Sequence, residues 1–87
     1  MASIQKVFDA VLNGRSDANL RFAELQRLLG YLGFSERIKG SHHIFFRDSV
    51  EEILNLQPLS GGRAKAYQVK QIRQVVLKYD LKLPESK

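Results

Sequence analysis

The chain has no cysteine and no tryptophan, only two prolines and two histidines, and no apolar run near the roughly 20 residues that span a bilayer. Without cysteine there is neither a disulfide framework nor a thiolate metal site, so stability has to come from packing. With only two histidines besides, a first-row metal centre is not expected, and no cofactor is implied. The N-terminus lacks the basic region, apolar segment and cleavage site of a secretory leader, which makes the cytoplasm the expected setting and a membrane association unexpected. Carboxylates clustered to hold catalytic magnesium are missing as well. Glu51-Glu52 is the one adjacent acidic pair, and it is expected in a loop. Gly61-Gly62-Arg63 lacks the spacing of a phosphate-binding loop and reads as a hinge, and no nucleophile elbow is present.

What remains is a basic, globular composition: 87 residues, 44% apolar and 26% charged, with a net charge of +5. That length allows a single domain, expected over 1–80, with a frayed polar tail at 81–87 around Pro84. The charge is uneven. From Gly61 to Lys78 the chain carries Arg63, Lys65, Lys70, Arg73 and Lys78 with no acidic residue, which equals the whole net charge of +5. Such a local excess suits a polyanion such as nucleic acid.

Hydrophobic spacing predicts a first helix over Ser3 to Leu12, capped by Ser3 and ended by Asn13-Gly14. A second helix runs over Phe22 to Leu32, with Phe22, Leu25, Leu28, Leu29 and Leu32 on one stripe and Gly33 as its stop. The segment 34–38 is short and mixed. Lys39-Gly40-Ser41 has turn chemistry, and His42 to Arg47 favours a strand. Arg47 to Glu52 reads as a polar connection to a second extended run, Ile53 to Leu56, which Pro58 ends. A last helix is expected from about Ala66 to Tyr79. The predicted class is α+β, a small antiparallel sheet of two to three strands against helices, in the order α-α-β-β-(β)-α.

Both histidines fall at the start of the strand, in Gly40-Ser41-His42-His43-Ile44-Phe45-Phe46. Histidine is the side chain whose ordinary pKa allows proton transfer near neutrality. Neighbours on a strand point to opposite faces, so His42 and His43 are expected to separate, one toward the helices and one toward solvent or a ligand. The residues leave open which is which, because the run is apolar on both faces. One exposed histidine with nearby lysine or arginine can cleave RNA, since the ribose 2′-OH is an internal nucleophile and needs a base, an acid and positive charge on the phosphate. DNA lacks that nucleophile.

The run Lys39-Gly40-Ser41-His42-His43-Ile44-Phe45, preceded by a helix ending in Leu32-Gly33-Phe34 and followed by an extended segment and a short helix, resembles the HicA family of toxin mRNA interferases. The resemblance spans roughly Phe22 to Leu81, with Ile4 to Asn19 as an N-terminal addition. Leu56-Gln57-Pro58 stands where typical members have a valine-proline-x-histidine segment. Membership implies a double-stranded-RNA-binding-domain-like fold, metal-independent endoribonuclease activity on mRNA, and a HicB-type antitoxin protein as partner. Counted from Gly40-Ser41, the family's histidine falls on His42 as general acid/base, with His43 as the alternative. Lys39 is the nearest cation in sequence for the scissile phosphate. Arg63, Lys65, Lys70 and Arg73 are expected to track the RNA backbone on charge grounds alone.

Overall fold

The computed structural model describes residues 3–84. It has three helices and one three-stranded antiparallel sheet: α1 (Ile4–Asn13), α2 (Phe22–Tyr31), β1 (Ser35–Lys39), β2 (His42–Arg47), β3 (Val50–Leu56) and α3 (Ala66–Tyr79), with a 3-10 turn at Ser60–Gly62. The expected α+β class and element order hold. None of the described helices is long and apolar enough to cross a membrane.

Local chemistry accounts for the helix ends. The Ser3 hydroxyl accepts the Lys6 N–H at 3.2 Å and so caps α1. Gly14, at φ 73°, ends that helix in the left-handed conformation that glycine adopts without cost. At the start of α2 the Glu24 carboxylate reaches back to the Arg21 N–H at 2.9 Å, satisfying a donor that no helical carbonyl can take.

The strands pair in the order β1-β2-β3. Their inner residues, Phe45, Leu54 and Leu56, join Val7, Val11, Leu25, Leu28, Leu29, Val69 and Ile72 in one core. α2 packs against β1, α3 against β3, and α1 lies on both helices. All three helices therefore share one side of the sheet. Each fully buried Leu, Val or Phe contributes about 1.5–3 kcal/mol, so the nine side chains with almost no exposure supply the bulk of the stabilisation.

Two readings of the sequence are corrected. The mixed segment 34–38 forms a regular strand over Ser35–Lys39, exposed along its whole length. The expected polar connection at 47–52 is a tight turn of two residues, and Glu51-Glu52 lies in β3 rather than a loop. The β2–β3 register shifts between Phe45 and Arg47, and this irregularity lets a turn without positive φ at Asp48 or Ser49 close the hairpin. Beyond α3, Leu81 is buried and Leu83 packs on the core, so the chain stays attached past residue 80. Residues 85–87 of the expected frayed tail lie outside the described residues.

Candidate nucleic-acid interface

The turn that carries the histidines is built to hold one shape. Lys39 pairs with His42 across the β1–β2 ladder, leaving Gly40-Ser41 as a two-residue loop. Gly40 has φ 62° and Ser41 does not have positive φ, the pattern of a II′ turn whose first central position needs glycine. The loop is then anchored from behind. Gln57 Nε2 donates to Ser41 Oγ at 2.9 Å, and the Gln57 N–H donates to Gln68 Oε1 at 3.3 Å. Gln68 is the single buried polar residue of the described core, and its own N–H bonds the carbonyl of Lys65. A polar relay thus ties the histidine turn, the end of β3 and the start of α3 together.

The two histidines separate as strand geometry requires, and the structure settles the assignment. His43 shares the inner face with Phe45 and is half-buried; His42 is exposed on the outer face. His43 Nδ1 lies 2.7 Å from Glu36 Oε2, which also accepts Gln26 Nε2 at 2.7 Å. The imidazole edge meets the Phe22 ring at 4.8 Å, and only 16% of the His43 side chain is exposed. His42 Nδ1 lies 3.1 Å from Asn55 Oδ1 on β3. The tautomer with the proton on Nδ1 lets each ring donate to its oxygen partner, and in that tautomer the Nε2 lone pair is free to accept a proton. Of the two, His42 can meet a bulky substrate without moving a helix.

The cations divide into two groups. Arg73 is engaged inside the fold: Nη1 donates to the Val11 carbonyl at 2.9 Å and to Asp17 Oδ1 at 3.0 Å, and Nη2 donates to Asp17 Oδ2 at 3.1 Å. Lys78 Nζ donates to Glu52 Oε2 at 2.7 Å, and the Tyr79 hydroxyl donates to Glu52 Oε1 at 2.6 Å. The Lys78 hydrogen bond, followed by that of Tyr79, holds the Glu52 carboxyl at about 2, well below its ordinary 4.5. The same bond pushes Lys78 above the usual lysine range. The remaining cations of the basic segment, Arg63, Lys65 and Lys70, make no ion pair among the described residues, and neither does Lys39.

Backbone contacts connect Lys65 and Arg63 to the elements around the histidine turn, and Lys39 lies on the turn itself. Lys65 is the N-cap of α3, and its carbonyl accepts the N–H of Gln68 in the glutamine relay. Arg63 bridges to Arg21 at the entry to α2, next to the Phe22 that touches His43. Lys70 is exposed about 7.5 Å further along α3 at the helical rise. Arg73 is not part of this group.

Two cations went unnoticed in the sequence. Arg21, whose side chain donates to the Gly61 carbonyl at 3.3 Å, stands beside Arg63. Arg37 lies on the same strand face as Lys39, with its guanidinium 5.8 Å from the Phe46 ring centroid. The alternation Arg37-x-Lys39 is the available signal, masked because a strand exposed along its whole length lacks the apolar alternation that marks one. Among the described residues no three histidine or carboxylate side chains converge on a possible metal position. Comparison with protein-family models, with curated proteins and with solved structures found no match for this chain.

Proposed function

We propose that this protein is a metal-independent endoribonuclease acting on messenger RNA in the cytoplasm, the toxin of a toxin–antitoxin pair, with His42 as its general acid/base. The supporting observation is the setting of His42. It is exposed, oriented through Nδ1 by Asn55, and opposite Lys39 on a glycine turn, a lysine that makes no ion pair among the described residues. The element run α2-β1-β2-β3-α3 has the order helix, three strands, helix that a double-stranded-RNA-binding-domain-like fold calls for, and α1 is the addition.

In this reading the Nε2 lone pair of His42 takes the proton of a ribose 2′-OH. The 2′-oxygen attacks the adjacent phosphorus, the bond from phosphorus to the 5′-oxygen breaks, and a 2′,3′-cyclic phosphate is left. The Lys39 ammonium stabilises the charge that builds on the phosphate, and the 5′-oxygen leaves with a proton from Lys39 or water. Arg63, Lys65 and Lys70 hold the backbone. A HicB-type antitoxin would silence the protein by covering this basic end.

A second reading, a nucleic-acid-binding domain without cleavage, is favoured by one feature: His43 faces the helices, so no second imidazole serves the face of His42. Induced expression separates the two. Growth arrest with RNA cleavage, relieved by His42→Ala, supports the nuclease; salt-dependent RNA binding without cleavage products supports the second reading. Relief by His43→Ala alone moves the role to His43, and unchanged cleavage in both variants removes it from either.

A further inference from the structure

The helices cover one side of the sheet and leave the other open. Alternation places Arg37 and Lys39 of β1, His42, Ile44 and Phe46 of β2, and Glu51, Ile53 and Asn55 of β3 on that open face. Antiparallel sheets with a solvated face carry polar side chains there, yet this one carries three large apolar groups. Ile53 is 66% exposed, and Arg37, Ile44, Phe46 and Ile53 line a shallow depression of about 260 Å³. Arg37 makes no ion pair among the described residues, only its contact over the Phe46 ring.

An aromatic ring between two aliphatic side chains, edged by Arg37 and Lys39, which make no ion pair among the described residues while Glu51 is the one carboxylate of the face, matches the chemistry of a strand with unpaired bases. Base faces stack on the ring and the cations take phosphates. A duplex presents no free base face. A second copy docked face to face would set two surfaces of like net charge against each other, since Arg37 and Lys39 outnumber Glu51 on each.

We propose that the open sheet face binds single-stranded RNA, with one base stacked on Phe46 between Ile44 and Ile53 and Arg37 on the neighbouring phosphate. This rests on the nuclease reading of His42 and narrows its substrate to unpaired RNA. His42 lies four residues away on the same strand and face, roughly 13 Å at the strand rise, so the bound strand runs along β2 to the cutting position.

The chain has no tryptophan, so Phe46→Trp supplies a unique indole on this face. In a His42→Ala background, a single-stranded oligoribonucleotide should quench that indole and a duplex of the same sequence should not. Phe46→Ala should weaken single-strand binding about 5- to 150-fold, Phe46→Tyr should retain it, and Arg37→Gln should lower the salt slope by about one. Ile53→Asp, at a position two-thirds exposed, weakens binding with the fold intact and guards against a Phe46 variant that fails to fold.

The inference is overturned if RNA leaves the indole unmoved and the Phe46→Ala affinity unchanged, or if duplex binds as well as single strand. It is overturned equally if emission responds only to protein concentration, which gives the face to a second copy, or only to an added protein partner. Cleavage assayed with His42 intact keeps the claims apart. Quenching without any cleavage removes the nuclease reading alone, and cleavage without quenching removes this inference alone.

Discussion

Replacing Arg73 with glutamine removes the guanidinium that joins α3 to α1 and to the loop after it. Three charge-assisted hydrogen bonds are lost: two to Asp17, at 3.0 and 3.1 Å, and one to the Val11 carbonyl at 2.9 Å. The Arg73 and Asp17 side chains are only 18% and 21% exposed, so solvent screens the pair weakly, and the Asp17 carboxylate would be left without its partner. Bonds to charged groups contribute about 1.5–3 kcal/mol when buried. Allowing for residual exposure and for water replacing part of the loss, the substitution should cost about 2 kcal/mol. In a domain of this length that lowers the melting temperature by about 8–16 °C, readable by circular dichroism. RNA affinity of the folded fraction should change little. The contrary pattern, full stability with RNA binding weakened as much as in Lys70→Gln, would refute the assignment of Arg73 to the fold.

The Glu52 carboxyl, at about 2 in the folded chain against an ordinary 4.5, stabilises the fold above its unfolded pKa and loses that contribution as pH falls from near 4.5 toward 2. Glu52→Gln should therefore flatten acid unfolding in that window while leaving RNA binding intact, followed by circular dichroism from pH 6 to 2. Phe45→Ala, in a side chain 1% exposed, should cost about 3–5 kcal/mol in urea unfolding. Gln68→Ala unpairs the Gln57 N–H and loosens the histidine turn; cleavage should slow with little loss of RNA affinity, and equal losses in both would contradict a positioning role. Neutralising Lys39, Lys65 or Lys70 should each reduce the dependence of RNA affinity on salt by about one in slope.

The helices were legible because their apolar residues recur at helical spacing, with glycines ending α1 and α2, so the core positions Leu25, Leu28, Val69 and Ile72 can be read directly. β1 was not, since Ser35–Lys39 is an edge strand exposed throughout and lacks the alternation that burial imposes. Val50 and Glu52 face inward with Leu54 and Leu56, but two carboxylates in a row hide that alternation; only the Lys78 and Tyr79 partners explain how Glu52 lies there. The separation of the histidines followed from strand geometry. Which of them faces outward depended on packing between α2 and the sheet, where Glu36, Gln26 and Phe22 gather around His43. Charge counting treated Arg63, Lys65, Lys70 and Arg73 alike and could not see that Asp17, distant in sequence, takes Arg73.

The central claim, that His42 cleaves RNA through the ribose 2′-OH, is tested most directly by incubating the purified protein with a single-stranded RNA in excess chelator. The account predicts cleavage that leaves 2′,3′-cyclic phosphate ends, that is blocked by a 2′-deoxy substitution at the scissile nucleotide, and that slows about 10²- to 10⁴-fold in His42→Ala. Cleavage at an undiminished rate by the folded His42→Ala protein, or equal cleavage of the 2′-deoxy strand, would contradict it.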